Sequence, residues 1–316
     1  MITTFENLPN EVITNIIEYI SSPNDIYHAF AGLNQRFDIV LEFVRLSIDI
    51  FRENKQNLML AHYFSTNCDR LRLYNICPSI KLIRFLRLRS LTMVEPAESQ
   101  SNSIQSRSLP MLEYLTGPAT MIIFDCLFGN EHQRWHFLRS CNFLFSPLPN
   151  LKTTWQPNYN LCTLSGITCS RTILSQLLVL VPSIKYLHID MLSDDHSNWI
   201  TPINIKNLVS LRIGFSRLIY DDISYLIGPK LHRLYLDIYN KSISIDFANL
   251  AAFLISIPQK LKQFNCDYPG SSVNINEIRV IHPLFRNMEV VHGYSNNFIK
   301  LVCKNMEPSE DLMCRL

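Results

Sequence analysis

Few groupings in this 316-residue chain have the residue types and spacing of reactive chemistry. His132-Gln133-Arg134-Trp135-His136 sets two imidazoles at i and i+4, a spacing compatible with a metal ion. The glutamate that a zinc hydrolase carries between such histidines is missing, and Glu131 lies outside the pair, so both read as polar residues flanking Trp135. Asp194-Asp195-His196 follows Leu192-Ser193 in a polar stretch and reads as a solvated loop rather than a catalytic dyad. No nucleophile elbow GxSxG, phosphate-binding GxxxxGK[ST] or dinucleotide-binding GxGxxG occurs. The 9 cysteines form no CxxC pair, and Cys126, inside Ile-Ile-Phe-Asp-Cys-Leu-Phe, has the surroundings of a buried thiol. The expectation is a chain that is not an enzyme, with no catalytic residue, no metal and no cofactor.

The one basic concentration is Arg70, Arg72, Lys81, Arg84, Arg87 and Arg89. The last three alternate with Phe85, Leu86 and Leu88, as on a strand with a wet face and a dry one. Aromatic interleaving for base stacking is absent, and 29 Lys+Arg against 27 Asp+Glu gives a formal net charge of only +2. Nucleic acid and anionic membrane are therefore not the expected partners. The amino terminus, Met1-Ile-Thr-Thr-Phe-Glu-Asn-Leu-Pro9, lacks the basic and apolar regions of a signal peptide. The apolar patch Ile173–Val181 is far shorter than the roughly 18 residues a membrane span needs. Unpaired cysteines fit a reducing interior, so a cytoplasmic or nuclear location is expected.

Positioning elements must come from a composition that is 47% hydrophobic and only 18% charged, with 42 Leu and 35 Ile. Such a chain folds around a large core and is not disordered. Near the amino terminus, Val12, Ile13, Ile16, Ile17 and Ile20 recur at helical spacing behind Pro9, which suits a first helical turn. Ser21-Ser22-Pro23-Asn24-Asp25 breaks this helix and caps a second one carrying Ile26, Ala29 and Phe30. A third short helix runs from Leu33 past Phe37 after Gly32.

The run Phe5-Glu-Asn-Leu8-Pro9-Asn-Glu11-Val12-Ile13-Thr-Asn-Ile16-Ile17-Glu-Tyr19-Ile20 resembles the opening of an F-box. Ser22-Pro23-Asn24-Asp25-Ile26 resembles its second helix and Gly32-Leu33-Asn34-Gln35-Arg36-Phe37 its third, with Phe37 where family members more often carry Trp. The resemblance covers residues 5–42. It implies docking on a Skp-family adaptor, and through it on cullin and RING subunits, with Leu8, Pro9, Val12, Ile13, Ile16, Ile17 and Ile20 as the adaptor-binding residues or their immediate core.

Beyond it, an apolar-x-x-apolar-x-apolar triplet recurs at Ile184-Leu187-Ile189, Leu208-Leu211-Ile213, Leu231-Leu234-Leu236 and Leu261-Phe264-Cys266. Its intervals mostly match those of leucine-rich repeats. Pro78, Pro110, Pro149, Pro182 and Pro229 each stand two residues before an aliphatic anchor (Ile80, Leu112, Leu151, Ile184, Leu231), fixing an extended entry outside the strand ladder. Apolar helix faces precede several anchors: Ile173, Leu174, Leu177, Leu178 and Val181 before Ile184, and Phe247, Leu250, Leu254 and Ile257 before Leu261. Asp221-Asp222 reads as the cap of a further helix, Ile223–Ile227. Anchors at Ile80, Leu112 and Leu151 make the N-terminal units longer than the later ones. Helix, proline, strand, loop and helix in succession form a stacked α/β unit.

The fold expected is α/β: a small all-α three-helix module followed by an irregular leucine-rich-repeat-like solenoid. The module spans 1–45, a helical linker 46–74 and the repeat domain 75–316, with a serine-rich mobile loop near 95–108. On stacked strands the residues between the last two anchors share a face, which gives His188, Arg212, Tyr235 and Asn265 as substrate-binding candidates. The next positions outward are Asp190, Gly214, Asp237 and Asp267. With the F-box resemblance, a eukaryotic, intracellular substrate-recognition subunit of an SCF-type (cullin-RING) ubiquitin ligase is expected, recruiting an unidentified protein substrate. The alternative is a non-ubiquitin repeat scaffold for protein–protein interaction whose N-terminal helices only cap the solenoid.

Overall fold

The computed structural model describes residues 5–20, 22–74, 77, 79–96, 98–192, 205–215, 220–239, 245–257, 261–269, 274–292 and 298–304. Ten α-helices and twelve strands lie among them, a mixed α/β architecture. The chain divides into two compact units, residues 1–144 with 154–156, and residues 145–153 with 157–316.

The first unit opens with α1 (Asn10–Tyr19), α2 (Pro23–Phe30) and α3 (Gln35–Leu41). The Ser22 hydroxyl accepts from the Asp25 N–H, and the Asn34 side chain from the Phe37 N–H, satisfying donors at the starts of α2 and α3. Gly32 takes φ +69° between these helices, a left-handed turn open to glycine, and its N–H donates to Asp38 Oδ1. Ile13, Ile17, Ile26, Phe37 and Val40 are buried here, each worth about 1.5–3 kcal/mol of apolar transfer. Phe37, standing in the position where tryptophan is more frequent in the resembled family, stacks on Phe5 and Phe30 at ring separations of 5.8 and 5.7 Å. Arg36 ties the entry segment to α3, donating to Asn10 Oδ1 at 2.8 Å and to the carbonyls of Glu6 and Leu8.

Next come β1 (Leu46–Ile50), α4 (Lys55–Tyr63), β2 (Cys68–Leu73), β3 (Ser90–Met93), α5 (Glu98–Ser103), β4 (Tyr114–Thr116), α6 (Met121–Phe128) and β5 (Ser140–Pro147). Strands β1 to β5 pair in chain order and all in parallel. The stretch 46–74 is thus no helical linker: two parallel strands flank α4. Nor is 95–108 loop throughout, because α5 lies inside it and Gln100 is buried, donating to the Cys77 carbonyl. Paired positions Arg70, Ser90, Tyr114 and Ser140 stand 20, 24 and 26 residues apart, so the N-terminal repeats are not longer than the later ones. The anchors are Leu88, Leu112 and Leu138, all buried, rather than Ile80 and Leu151; Leu151 is half-buried and starts no strand. Strand starts are also linked laterally: Arg89 lies 3.4 Å from Asp69 and 3.5 Å from Glu113.

The second unit contains β6 (Thr163–Cys169), α7 (Arg171–Leu180), β7 (Tyr186–Met191), β8 (Ser210–Phe215), α8 (Tyr220–Leu226), β9 (Arg233–Ile238), α9 (Phe247–Ser256), β10 (Gln263–Pro269), α10 (Ile275–Ile281), β11 (Glu289–His292) and β12 (Phe298–Lys304). Strands β6 to β10 pair in parallel, and β12 then joins β10 and β11 antiparallel. All twelve anchors of the repeated triplet are buried, and they align across the sheet as Leu187, Leu211, Leu234 and Phe264, then Ile189, Ile213, Leu236 and Cys266.

The prolines act one step earlier than strand entry. The N–H of Ile184 donates to Val181, that of Leu231 to Gly228 and that of Leu112 to Leu109, so Pro182, Pro229 and Pro110 each take the second position of a β-turn. Asp222 is not a cap: it lies inside α8, buried, and holds Arg171 of α7 in a fork at 2.7 and 2.9 Å. Among the described residues no helix is long and apolar enough to cross a membrane.

Candidate functional site

Two surfaces carry the sequence candidates, one in each unit. On α1 the adaptor-binding candidates separate by depth. Ile13 and Ile17, one turn apart, are fully buried, whereas Val12 and Ile16 are 40% and 38% exposed. Tyr19 is 93% exposed, and positions 12, 16 and 19 share one helical face. Leu8 and Ile20 are half-buried and Pro9 is exposed. The stripe therefore does two jobs: its Ile13/Ile17 edge holds the helix down, and its Val12/Ile16 edge leaves apolar surface in water.

In the second unit the four substrate-binding candidates fall in one register row. His188 pairs with Arg212, Arg212 with Tyr235 and Tyr235 with Asn265 across β7 to β10. The outward row is equally aligned, as Asp190, Gly214, Asp237, Asp267 and, on β12, Lys300. Side chains at these positions alternate with the buried anchors, so both rows lie on the face opposite the core.

The centre of this face is a charge network. Arg212 grips Asp237 through Nε at 2.5 Å and Nη2 at 3.1 Å, and Nη2 lies 3.6 Å from Asp267. Asp237 is buried, which alone would raise its carboxyl pKa, but His188 and Arg212 hold it below the ordinary carboxylate range. Burial pushes Asp267 the other way, reinforced by the Asp237 charge. His188 Nε2 approaches Asp237 Oδ2 to 3.7 Å, an ion-pair approach too long for a hydrogen bond. Both His188 Nε2 and Asp267 Oδ1 are buried without a hydrogen-bond partner.

Two further features of this face depend on chain crossings that no linear pattern announces. Tyr239 reaches over β8 to donate to Asp190 Oδ1 at 2.7 Å. Burial followed by Asp190 raises the Tyr239 phenol, and burial raises Asp190 itself. The space for that bond is left by Gly214, where a Cβ would fall 2.3 Å from Asp190 Oδ1 and 2.6 Å from the Tyr239 ring. We expect Gly214→Ala to displace Tyr239 and lower stability by about 1–3 kcal/mol, read as a drop in the thermal midpoint. An unchanged midpoint would sink this account of the glycine. Phe145, with Leu144, adopts positive φ (58° and 52°), a strained conformation for bulky side chains, and its ring meets His188 edge-on at 5.1 Å. A glycine inside an otherwise acidic row was the available signal for the first feature; Phe145 gave none.

The remaining candidates fall away from any common site. His132 belongs to a short 3-10 turn, and no His, Cys, Asp or Glu cluster among the described residues could hold a metal ion. Asp194-Asp195-His196 lies outside the described residues. Arg84 sits in a 3-10 turn and β3 begins only at Ser90, so Arg84, Arg87 and Arg89 do not share a strand. Arg72 pairs with Asp49 at 3.1 Å and Arg89 with Asp69 and Glu113, which spends much of that basic charge internally. All described cysteines but Cys162 are buried and none is bridged; burial pushes the Cys126 thiol up to about 11 and Cys68 up to about 12, away from nucleophilic use. No family model matches this chain, and no curated protein matches its sequence.

Proposed function

We propose that this protein is a substrate-recognition subunit of an SCF-type ubiquitin ligase: residues 5–42 act as an F-box on a Skp-family adaptor, and a leucine-rich-repeat-like solenoid presents the target. The observation that carries this reading is the division of α1. A helix already anchored by Ile13 and Ile17 still leaves Val12, Ile16 and Tyr19 in water at i, i+4 and i+7, the spacing of a helix that packs on a second partner. On this reading the chain performs no chemistry. It raises the effective concentration of a target lysine near the conjugating enzyme. Its partners would be the adaptor, cullin and RING subunits and a protein target, in the cytoplasm or nucleus.

Co-expression of the full chain with a Skp-family adaptor tests the reading. A stable 1:1 complex on size exclusion is expected, and a chain that elutes alone over a range of salt concentrations would refute it. A second reading has its own support: α2 packs on both α4 and β1, so the helical trio also covers the first strand. A non-ubiquitin scaffold with capping helices needs only that contact. It predicts that the exposed α1 face tolerates any polar substitution.

A further inference from the structure

We propose that the edge of the second unit's sheet at which its parallel strands begin binds an extended, acidic peptide segment of a partner protein. This deepens the recognition role proposed above and rests on it for its biological meaning.

The cations of this edge are scattered in the sequence and gathered by the fold. Lys185, Lys206, Lys230, Arg233 and Lys262 are all exposed. The N–H of Val209 donates to the Lys185 carbonyl, that of His232 to Val209 and that of Lys262 to His232. Lys185 and Lys262 are therefore the two ends of one row across the entries of β7 to β10. With neighbouring strands 4.7–4.9 Å apart, the row is about 14 Å long. Lys206 and Lys230 stand in the turns that lead into β8 and β9, and Arg233 opens β9.

These charges have no internal counter-ions. Among the described residues none of the five makes an ion pair, and the one side-chain bond in the group runs from Lys230 Nζ to the Asn207 amide oxygen at 3.3 Å. The entry segments 182–188, 205–212, 229–235 and 261–266 contain no Asp or Glu. Glu289, which opens β11, lies two strands beyond β10.

The unit's other acids sit at the opposite edge. Asp190 and Asp267 are five residues further along the strands than Lys185 and Lys262, about 16 Å at the rise of a strand and beyond the screening length of about 8–10 Å. Asp221, Asp222 and Asp246 belong to the starts of α8 and α9, which run back against the strands. Helix ends account for part of this polarity. The C-termini of α7, α8 and α9 face the basic edge, and at about half a charge each they offset about one and a half of its five cations. The remainder is exposed and uncompensated.

Shape and size select the occupant. A single file about 14 Å long is covered by about four or five residues of extended chain, whose carboxylates then reach lysines on successive strands. Nucleic acid and anionic membrane draw their affinity from many phosphates over a wide surface, and a formal net charge of +2 with an acidic opposite edge supplies no such field.

The test uses the purified full chain and blocked octaglutamate, octaglutamine and an octathymidylate strand, followed by fluorescence anisotropy at low and moderate salt. Octaglutamate is expected to bind at least tenfold more tightly than octaglutamine, and more weakly as salt rises. Lys206→Glu with Lys230→Glu should weaken it at least tenfold with the thermal midpoint unchanged, since both positions are exposed turns. Arg52→Glu with Lys55→Glu makes the same change of net charge at exposed positions of the first unit and should leave binding as it was. Equal affinity for the two peptides, no binding of either, or equal losses in the two double variants would overturn the proposal. So would octathymidylate binding ten times more tightly than octaglutamate. The chain's own Glu307, Glu310 and Asp311 follow Lys304, which pairs with Gln263 at this edge. Binding of octaglutamate only after all three are changed to their amides would make that segment the occupant and refute a partner's. A chain that binds octaglutamate but no adaptor keeps this edge and loses the ligase reading.

Discussion

With Val12 and Ile16 both replaced by aspartate, the chain is expected to keep its fold and lose a Skp-family adaptor by at least a hundredfold in affinity. The two side chains are 40% and 38% exposed, and substitutions at such helix positions usually change stability by about 0.5 kcal/mol or less. In a complex the same positions would be covered, and each carboxylate would be left without a partner in an apolar contact. A hundredfold loss corresponds to about 2.8 kcal/mol, which two desolvated carboxylates supply readily. Ile13→Asp or Ile17→Asp is the contrasting experiment. Both positions are 0% exposed, so an unpaired charge there should unfold the helical trio, and Ile17→Ala alone should cost about 2–5 kcal/mol. Thermal midpoint and adaptor affinity must therefore separate: affinity alone changes at 12 and 16, and both change at 13 and 17. If the Val12→Asp, Ile16→Asp double variant binds as tightly as the parent, the docking reading fails and the capping reading stands.

This separation also shows where the sequence was legible. Five aliphatics at helical spacing identified an apolar stripe on α1, but neighbouring residues differ by only about 100° around a helix. Nothing local distinguishes the Ile13/Ile17 edge from the Val12/Ile16 edge; the packing of α3 decides it. In the second unit, the triplets ending at Ile189, Ile213, Leu236 and Cys266 could be read because adjacent strands are parallel and in register. A fixed offset from an anchor therefore maps onto a fixed position on the sheet, and His188, Arg212, Tyr235 and Asn265 fell into one row for that reason.

In the first unit proline does not mark the anchors. Leu88 and Leu138 have no proline two residues before them and yet are fully buried, whereas Leu151 follows Pro149 and begins no strand. Two of its strands are also short, β3 having four residues and β4 three, too few for a period-two pattern to rise above an aliphatic-rich background. Two long-range contacts within the second unit were illegible for another reason. Tyr239 to Asp190 and Arg171 to Asp222 span 49 and 51 residues, and each skips a strand or joins two helices. Such pairs follow from the fold and do not announce it.

Arg212→Met is expected to cost about 3 kcal/mol at pH 7, more than Asp237→Asn, at about 2 kcal/mol. The asymmetry follows from what each change leaves behind. Removing the guanidinium strands a carboxylate whose side chain is 6% exposed, while removing the carboxylate frees an arginine that is 43% exposed and can turn to water. The two variants should also differ in their pH dependence. Asp237 has a folded pKa below its unfolded value, so in the parent its contribution is complete above the unfolded value of about 4 and is lost as pH falls through the depressed folded value. In Arg212→Met the sign reverses. Without the cation, burial raises the carboxyl, a proton relieves the stranded charge, and the deficit relative to the parent shrinks as the solution is acidified from pH 7 towards pH 4. Asp190 and Asp267, whose carboxyls are already raised, act in the same direction, since Arg212 lowers both. Denaturant midpoints for parent and variant across that range would decide the matter. A deficit that stays constant from pH 7 to pH 4 would mean that Asp237 is not the charge Arg212 compensates.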